Sequence, residues 1–272
     1  MDDQDGLLAL PRSVLLALWL QGVGAGPVQR AVDAVQGEDE PHAVVGVPDV
    51  APDGGSLDQL IAAWAGGPRQ AAALLPVPGD ASGLPPEVAE PAVDAGECVL
   101  VHTADGAWAA VPDVVEFGSV NDVGHLVTWR VHPVPDWRHR LPGLVGSLSE
   151  AEQSLRHALL GATEALANLD IARWRPDAAA AIVALRSGAD PRWPLPAGLA
   201  PRAVRVLADA VRLRTIVALA TADDGGAVNL WQADQRTAAL RHIDHAARRA
   251  VAAATLAAGP SGQTGPSVQT GS

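Results

Sequence analysis

The texture of the chain changes at residue 149, and no other feature restricts the fold as much. Residues 149–180 read SEAEQSLRHALLGATEALANLDIARWRPDAAA and open a helical half, whereas the half before them is broken by loops and holds strands. Ser149 with Glu152 forms a capping-box pattern, in which each side chain satisfies a backbone N–H at the helix start; Ser147 with Glu150 offers a second register. Leu155, Leu159, Leu166 and Leu169, with Ala162 between, then recur at spacings of three and four and predict one apolar face of a long amphipathic helix. Glu150, Glu152, Arg156 and Glu164 point elsewhere. Residues 170–175 form the exit, and Pro176 suits the first position of a second helix, which ends near Ser187 and Gly188.

The two halves also differ in charge. The chain has 272 residues and a formal net charge of −12. Residues 1–148 carry 6 Arg against 20 acidic residues, or −14; residues 149–272 carry 13 Arg against 11, or +2. An acidic N-terminal half argues against nucleic acid or an anionic membrane as its partner and leaves two readings, a solvated surface or a face that docks something basic. The length suits one large or two ordinary domains, and a hydrophobic content of 48% supports a real core. With one Phe, no Tyr, one Met and no Lys, that core is built from Leu, Val, Ala and the eight Trp. The single cysteine, Cys98, leaves no internal disulfide and fits a reducing cytosol. The acidic residues 1–5 do not read as a secretory signal and the apolar run 14–20 is too short to span a bilayer, so the expected setting is cytoplasmic, with no membrane.

Along the first half, Ser13 is expected to cap a short buried helix over VLLALWLQ, and Pro27 to open an amphipathic helix over residues 27–36. An acidic turn at residues 37–41 leads to a strand over 42–47, and Ser56 caps a helix over LDQLIAAWA. Residues 71–77 form an apolar run ended by Pro78, Gly79 and Asp80, and residues 83–86 are too rich in breakers for regular structure. Residues 98–102, 107–111 and 125–132 read as strands. In the second half, a helix over residues 201–222 places Val204, Leu207, Val211 and Ala218 inward. A last helix, capped at Asn229, repeats Ala233, Leu240, Ala247 and Ala254 every seven residues. The expected fold is therefore α+β: a mixed α/β region with a short sheet over residues 1–133, a hinge over 134–148, an all-α bundle of four helices over 149–256 and a disordered tail over 257–272.

No catalytic constellation emerges. Gly22, Gly24 and Gly26 follow an apolar run, but Pro27 stands where a dinucleotide fingerprint needs its third glycine, so a helix-to-helix turn is favoured. His125, His132 and His139 are the densest possible metal ligands, yet His125 and His132 are seven apart and face opposite sides of a strand; no metal and no cofactor is expected. Cys98 lies in a strand without a basic neighbour and reads as a buried thiol. Two sets of residues remain. Asp80, Arg130 and His132 are the candidate lining of a pocket between the halves. Arg241, His245, Arg248 and Arg249 form a candidate interaction face on the last helix, with Asp244 and Arg248 as an i, i+4 ion pair. That face also raises nucleic-acid binding, against which Asp209 and Asp244 interrupt the basic clusters.

At DIARWRP (residues 170–176), LPVPGD with GLP (75–80, 83–85), WRVHP (129–133) and TADDGGAV (221–228), the chain resembles a family of hypothetical proteins from high-GC actinobacteria, over most of residues 7–256. The resemblance implies a cytoplasmic bacterial setting and brings no activity, ligand or catalytic residue with it. The function expected from the sequence is non-catalytic, through a protein partner or self-association. The alternatives are an enzyme or small-molecule binder with a pocket between the halves, and nucleic-acid binding through the last helix.

Overall fold

A computed structural model describes residues 8–22, 27–47, 54–81, 83–119, 122–168, 193–221 and 230–259, apart from the side chains of 161–168 and 230–236. Helices α1 (Arg12–Gln21) and α2 (Val28–Gln36) precede strands β1 (Ala43–Val45) and β2 (Gly55–Ser56). Helix α3 (Leu57–Ala65) leads to β3 (Gln70–Leu74), and a 3-10 turn with helix α4 (Ala89–Ala95) leads to β4 (Cys98–Thr103), β5 (Gly106–Ser119) and β6 (Asp122–Pro133). Helices α5 (Leu141–Val145), α6 (Leu148–Asn168), α7 (Pro201–Thr221) and α8 (Leu230–Leu256) follow. The α+β class stands, with strands confined to the first half and the second half helical. The sheet is larger than the expected short one: six strands in the order β2-β1-β6-β5-β4-β3, all antiparallel neighbours except the parallel pair β1 and β6. No helix among the described residues is long and apolar enough to cross a membrane.

Helix starts follow local chemistry, with two corrections. Ser56 N–H donates to Gln59 Oε1 (3.1 Å), so α3 begins where expected. Ser13 does not cap α1: it lies inside the helix, and its N–H donates to Glu97 Oε2 (2.8 Å). Burial raises the Glu97 carboxyl above the usual range. On α6 the second register wins, since Glu150 N–H donates to Ser147 Oγ (3.2 Å) and Ser147 N–H to Glu150 Oε2 (2.6 Å), while the Ser149 hydroxyl accepts from Arg202.

The helical half does not stand apart from the sheet. Helix α8 runs along the edge strand β3, and α6 and α7 pack on α8. The inner face of α6 is Ala151, Leu155 and Ala158; Leu159 is exposed, and Leu166 and Leu169 fall outside the described side chains. Small residues form that face because they let α6 approach α8 closely. On α7 the buried face is Ala203, Val206, Leu207, Ala210 and Val211, then Leu213, Ile216, Val217 and Ala220; Ala218 is exposed and Val204 half-buried, contrary to expectation. Leu240, Ile243, Ala247, Ala250 and Ala254 of α8 are buried as the heptad predicts. The expected second helix of the bundle, residues 176–187, the Asn229 cap and residues 260–272 of the tail lie outside the described residues. Residues 134–148 are packed, with Trp137, Leu141 and Val145 buried and Val134 N–H donating to Ala107 O. Two indoles tie the segment before α7 to the N-terminus: Trp193 donates to Leu8 O (2.7 Å) and Trp19 to Pro194 O (2.9 Å).

An unpaired edge strand is a template for aggregation, and here side chains close it. Ala73 N–H donates to Thr255 Oγ1 (3.0 Å), and Ala71 O accepts from Gln21 Nε2 (2.8 Å). Thr255→Val keeps the shape and removes the acceptor, leaving a buried N–H unpaired. Denaturant unfolding should show a loss of about 1–3 kcal/mol, with faster deuterium exchange at the Ala73 amide. Unchanged exchange there would mean that the hydroxyl does not seal the edge.

Candidate functional site

Charged side chains converge where α8 meets the loop after β3. Arg248 is only 8% exposed at its side chain and spends its guanidinium on three acceptors: Asp244 Oδ2 through Nε (2.7 Å), Leu75 O through Nη1 (3.2 Å) and Asp80 Oδ2 through Nη2 (2.8 Å). His245 Nδ1 lies 2.6 Å from the same Asp80 oxygen, and Arg214 of α7 lies 3.5 Å from Asp244. One member of the expected pocket, Asp80, thus joins two members of the expected interaction face, His245 and Arg248, as a joint between the halves. The cavity beside them, between Leu75, Val145 and Arg248, holds about 20 Å³, room for a water molecule and no more.

The other candidates lie elsewhere. Arg130 stands on the exposed side of β6 and donates to Asp113 Oδ2 across the strand pair (2.7 Å). His132 is half-buried on the same side of β6, with its Nε2 buried and without a hydrogen-bond partner. Among the described residues no hydrogen bond or ion pair joins Asp80 to either. Arg241 and Arg249 remain exposed, so the basic face is divided, with Arg248 turned inward onto carboxylates.

A second polar cluster escaped the sequence reading. Asp39, in the acidic turn before β1, receives Arg12 Nε and Nη2 (2.5 and 2.8 Å) and lies 3.1 Å from His42 Nε2 and 3.2 Å from His125 Nδ1. Trp129 Nε1 donates to His42 Nδ1 (3.1 Å), so a neutral His42 carries its proton on Nε2 and gives it to Asp39. Burial pushes the Asp39 carboxyl up, but the hydrogen bonds from Arg12 and His42 together outweigh it and hold its pKa below the ordinary value. Burial also lowers the pKa of His42, against the pull of Asp39. The signal was strand parity. Trp129 and His125 are four apart and share one face of β6, whereas Arg130 and His132 take the other, and a buried indole N–H needs an acceptor. Both carboxylate oxygens of Asp39 are engaged within the cluster, and among the described residues no three His, Cys, Asp or Glu side chains are placed to hold a metal ion. Cys98 is fully buried, and burial raises its thiol well above the ordinary value, which leaves it a poor nucleophile.

What remains uncovered is the far half of the β5–β6 hairpin. β4 pairs with β5 only as far as Ala110, and β1 pairs with β6 only over residues 128–130, so residues 113–119 and 122–127 form a two-stranded arm, covered at its root where Val127 is buried and Glu40 N–H donates to His125 O. Pro112 lacks the N–H that would reach toward β4, which suits the point where pairing stops. Val115 pairs with Leu126 and Phe117 with Gly124, placing Val115, Phe117 and Leu126 on one face with exposures of 55, 44 and 50%. The Phe117 ring lies flat over Gly124, where an added Cβ would come within 2.5 Å of it. Glu116 and Asp122 on the arm are exposed acids.

Comparison with known proteins adds a family. No curated protein and no solved structure matches the chain. Two family descriptions do match, "Rv1486c-like protein, N-terminal domain" over residues 13–142 and "Rv1486c-like protein, C-terminal domain" over residues 149–252. Between them these matches cover most of the sequence, from α1 to the last turns of α8, and the chain belongs to the Rv1486c-like family.

Proposed function

We propose that this protein is a non-catalytic cytoplasmic module that self-associates through the β5–β6 arm. The observation that carries the reading is the exposure of Val115, Phe117 and Leu126 together on a two-stranded projection. An isolated two-stranded hairpin is marginally stable in water, and three large apolar side chains on one face of it gain from being covered. The outer edge of β5 beyond Pro112 adds unpaired backbone groups to the same surface. Support for a second copy as the cover comes from the charge division, because an acidic N-terminal half and a near-neutral, Arg-containing C-terminal half are complementary between copies.

The test is sedimentation velocity across a concentration series, comparing the natural chain with Phe117→Ser/Leu126→Ser. Each side chain is already half-covered in one copy, so finishing its burial contributes about 1 kcal/mol, and the double variant should weaken association about 30-fold. Its thermal unfolding midpoint should stay within about 3 °C. A natural chain that remains monomeric at every concentration, or a double variant that associates equally well, would remove the reading.

A further inference from the structure

The backbone of β5 beyond Pro112 faces an empty lane. Ala107 O accepts from Val134 N–H on the β6 side, and the β5–β6 register runs on without a bulge, so odd-numbered residues of β5 direct their N–H and C=O groups at β6. The even-numbered ones direct theirs the other way, toward the lane that β4 fills only as far as Ala110. Past that point Val114, Glu116 and Gly118 point into the lane, and among the described residues no hydrogen bond meets their backbone there. Residues 114–119 are all exposed. The other margins of the sheet differ. β3 is sealed by Thr255 and Gln21, the outer side of β6 is engaged by Glu40 N–H on His125 O, and β2 is two residues long. An edge left bare is a template for another strand.

We infer that the outer edge of β5 in one copy pairs antiparallel with the same edge in a second, joining two six-stranded sheets into one. The inference rests on the reading of the arm as a self-association surface and names the contact that the arm makes. Whatever covers this edge must be an extended strand with its own backbone free, and among the described strands of a second copy only the same stretch of β5 qualifies. Antiparallel pairing of like with like generates a twofold, which closes the pair instead of extending it. Two features set the register. β4 stands beside β5 up to Ala110, so the incoming tip has to stop short of it. Glu116 opposite Glu116 would set like charges together. A twofold at Phe117 satisfies both conditions, placing Glu116 opposite Gly118 and Phe117 opposite Phe117. Because the backbone of Phe117 is turned to β6, that ring pair falls at a non-hydrogen-bonded position, where side chains stand closest and aromatic pairs are favourable. The Gly118 N–H of each copy then meets the Glu116 carbonyl of the other.

The experiment compares Glu116→Pro in the full chain with Val123→Pro as its control. Both prolines fall where the lost N–H points away from the β5–β6 ladder, a place where strands tolerate proline, so both variants should keep a thermal unfolding midpoint within about 5 °C of the natural one. On β5 the proline removes a donor and puts its ring in the path of the second strand. Sedimentation velocity should show the dimer dissociation constant raised about 30-fold or more for Glu116→Pro and changed less than about threefold for Val123→Pro. Glu116→Gln should associate at least as well as the natural chain, which separates the backbone from the charge. In the natural chain, deuterium exchange at the Glu116 and Gly118 amides should slow as the concentration rises. A dimer that survives Glu116→Pro but not Phe117→Ser/Leu126→Ser, with these amides exchanging as fast as in the monomer, would overturn the edge contact and leave the arm's role standing. Equal loss of the dimer in both proline variants, again with fast amides, overturns the contact as well. A natural chain that stays monomeric at every concentration would remove both.

Discussion

Arg248→Met is expected to lower the unfolding free energy by about 3 kcal/mol at pH 7, while Arg249→Met, one residue on, should change it by less than about 0.5 kcal/mol. Methionine keeps the apolar stem that packs between α8 and the loop after β3, so the difference isolates the guanidinium. Without it, Asp80 loses a charged donor and keeps His245, Asp244 keeps Arg214 at 3.5 Å, and the Leu75 carbonyl loses its donor. Removing one partner of a buried ion pair usually costs 3–5 kcal/mol, and the lower end applies because Asp80 and Asp244 retain 19 and 24% exposure at their side chains. Denaturant unfolding of the two variants side by side checks this. Equal midpoints would mean that the network does not hold the helical half to the sheet.

Asp39→Ala should destabilise the protein by a similar amount, about 3 kcal/mol at pH 7, with a pH dependence that identifies the cause. The substitution strands the Arg12 guanidinium and leaves the Nε2 proton of a fully buried His42 without an acceptor. The Asp39 carboxyl has a folded pKa below its ordinary value of 3.8, so its contribution is complete above that value and disappears as the pH falls below it. His42 is also depressed, from 6.5. The unfolded chain takes up a proton there before the folded chain does, and natural stability starts to decline as the pH drops below about 6.5. Removing Asp39 removes the group that pulls the His42 pKa upward, so that first decline persists in the variant. With its His42 pKa lower still, the variant loses more than the natural chain as the pH falls from neutrality. The gap between the two proteins should therefore widen toward about pH 5 and then narrow below about pH 4, where the Asp39 carboxyl is protonated. Thermal unfolding at pH 7, 5 and 3 measures it, and a gap that stays constant across the series would show that the carboxylate's charge is not what matters.

The elements that could be read from the sequence are those whose chemistry is local. The Ser56 box, Pro27 before α2 and the periodicity of α7 each lie within a few residues of what they determine, and each located its helix. The strand β5 was cut short at Val111 because Pro112 reads as a breaker; Pro112 instead stands on an edge where its missing N–H has no partner to disappoint, and the strand continues to Ser119. On α6 Leu155 is buried as its spacing predicts and Leu159 is not; leucines mark an apolar stripe by size, whereas Ala151 and Ala158 complete the buried face. The Asp80 site shows a different limit. His245 and Arg248 lie 165 and 168 positions from it, and nothing in the spacing of charged residues announces which distant pairs meet. Asp39 was hidden in a turn whose three acids look alike on paper, although only one of them is surrounded by Arg12, His42 and His125.

The seal on β3 also sets a timetable for synthesis. Thr255 follows Ala73 by 182 positions, so the strand is made long before the hydroxyl that covers its outer edge. At about 5–20 residues per second, a ribosome needs roughly 10–35 s to travel that distance, and throughout that interval the Ala73 amide on the sheet's margin lacks its acceptor. Chaperone dependence should concentrate in that window, and an interrupted message that ends within α7 would release a chain whose sheet is formed but still adhesive.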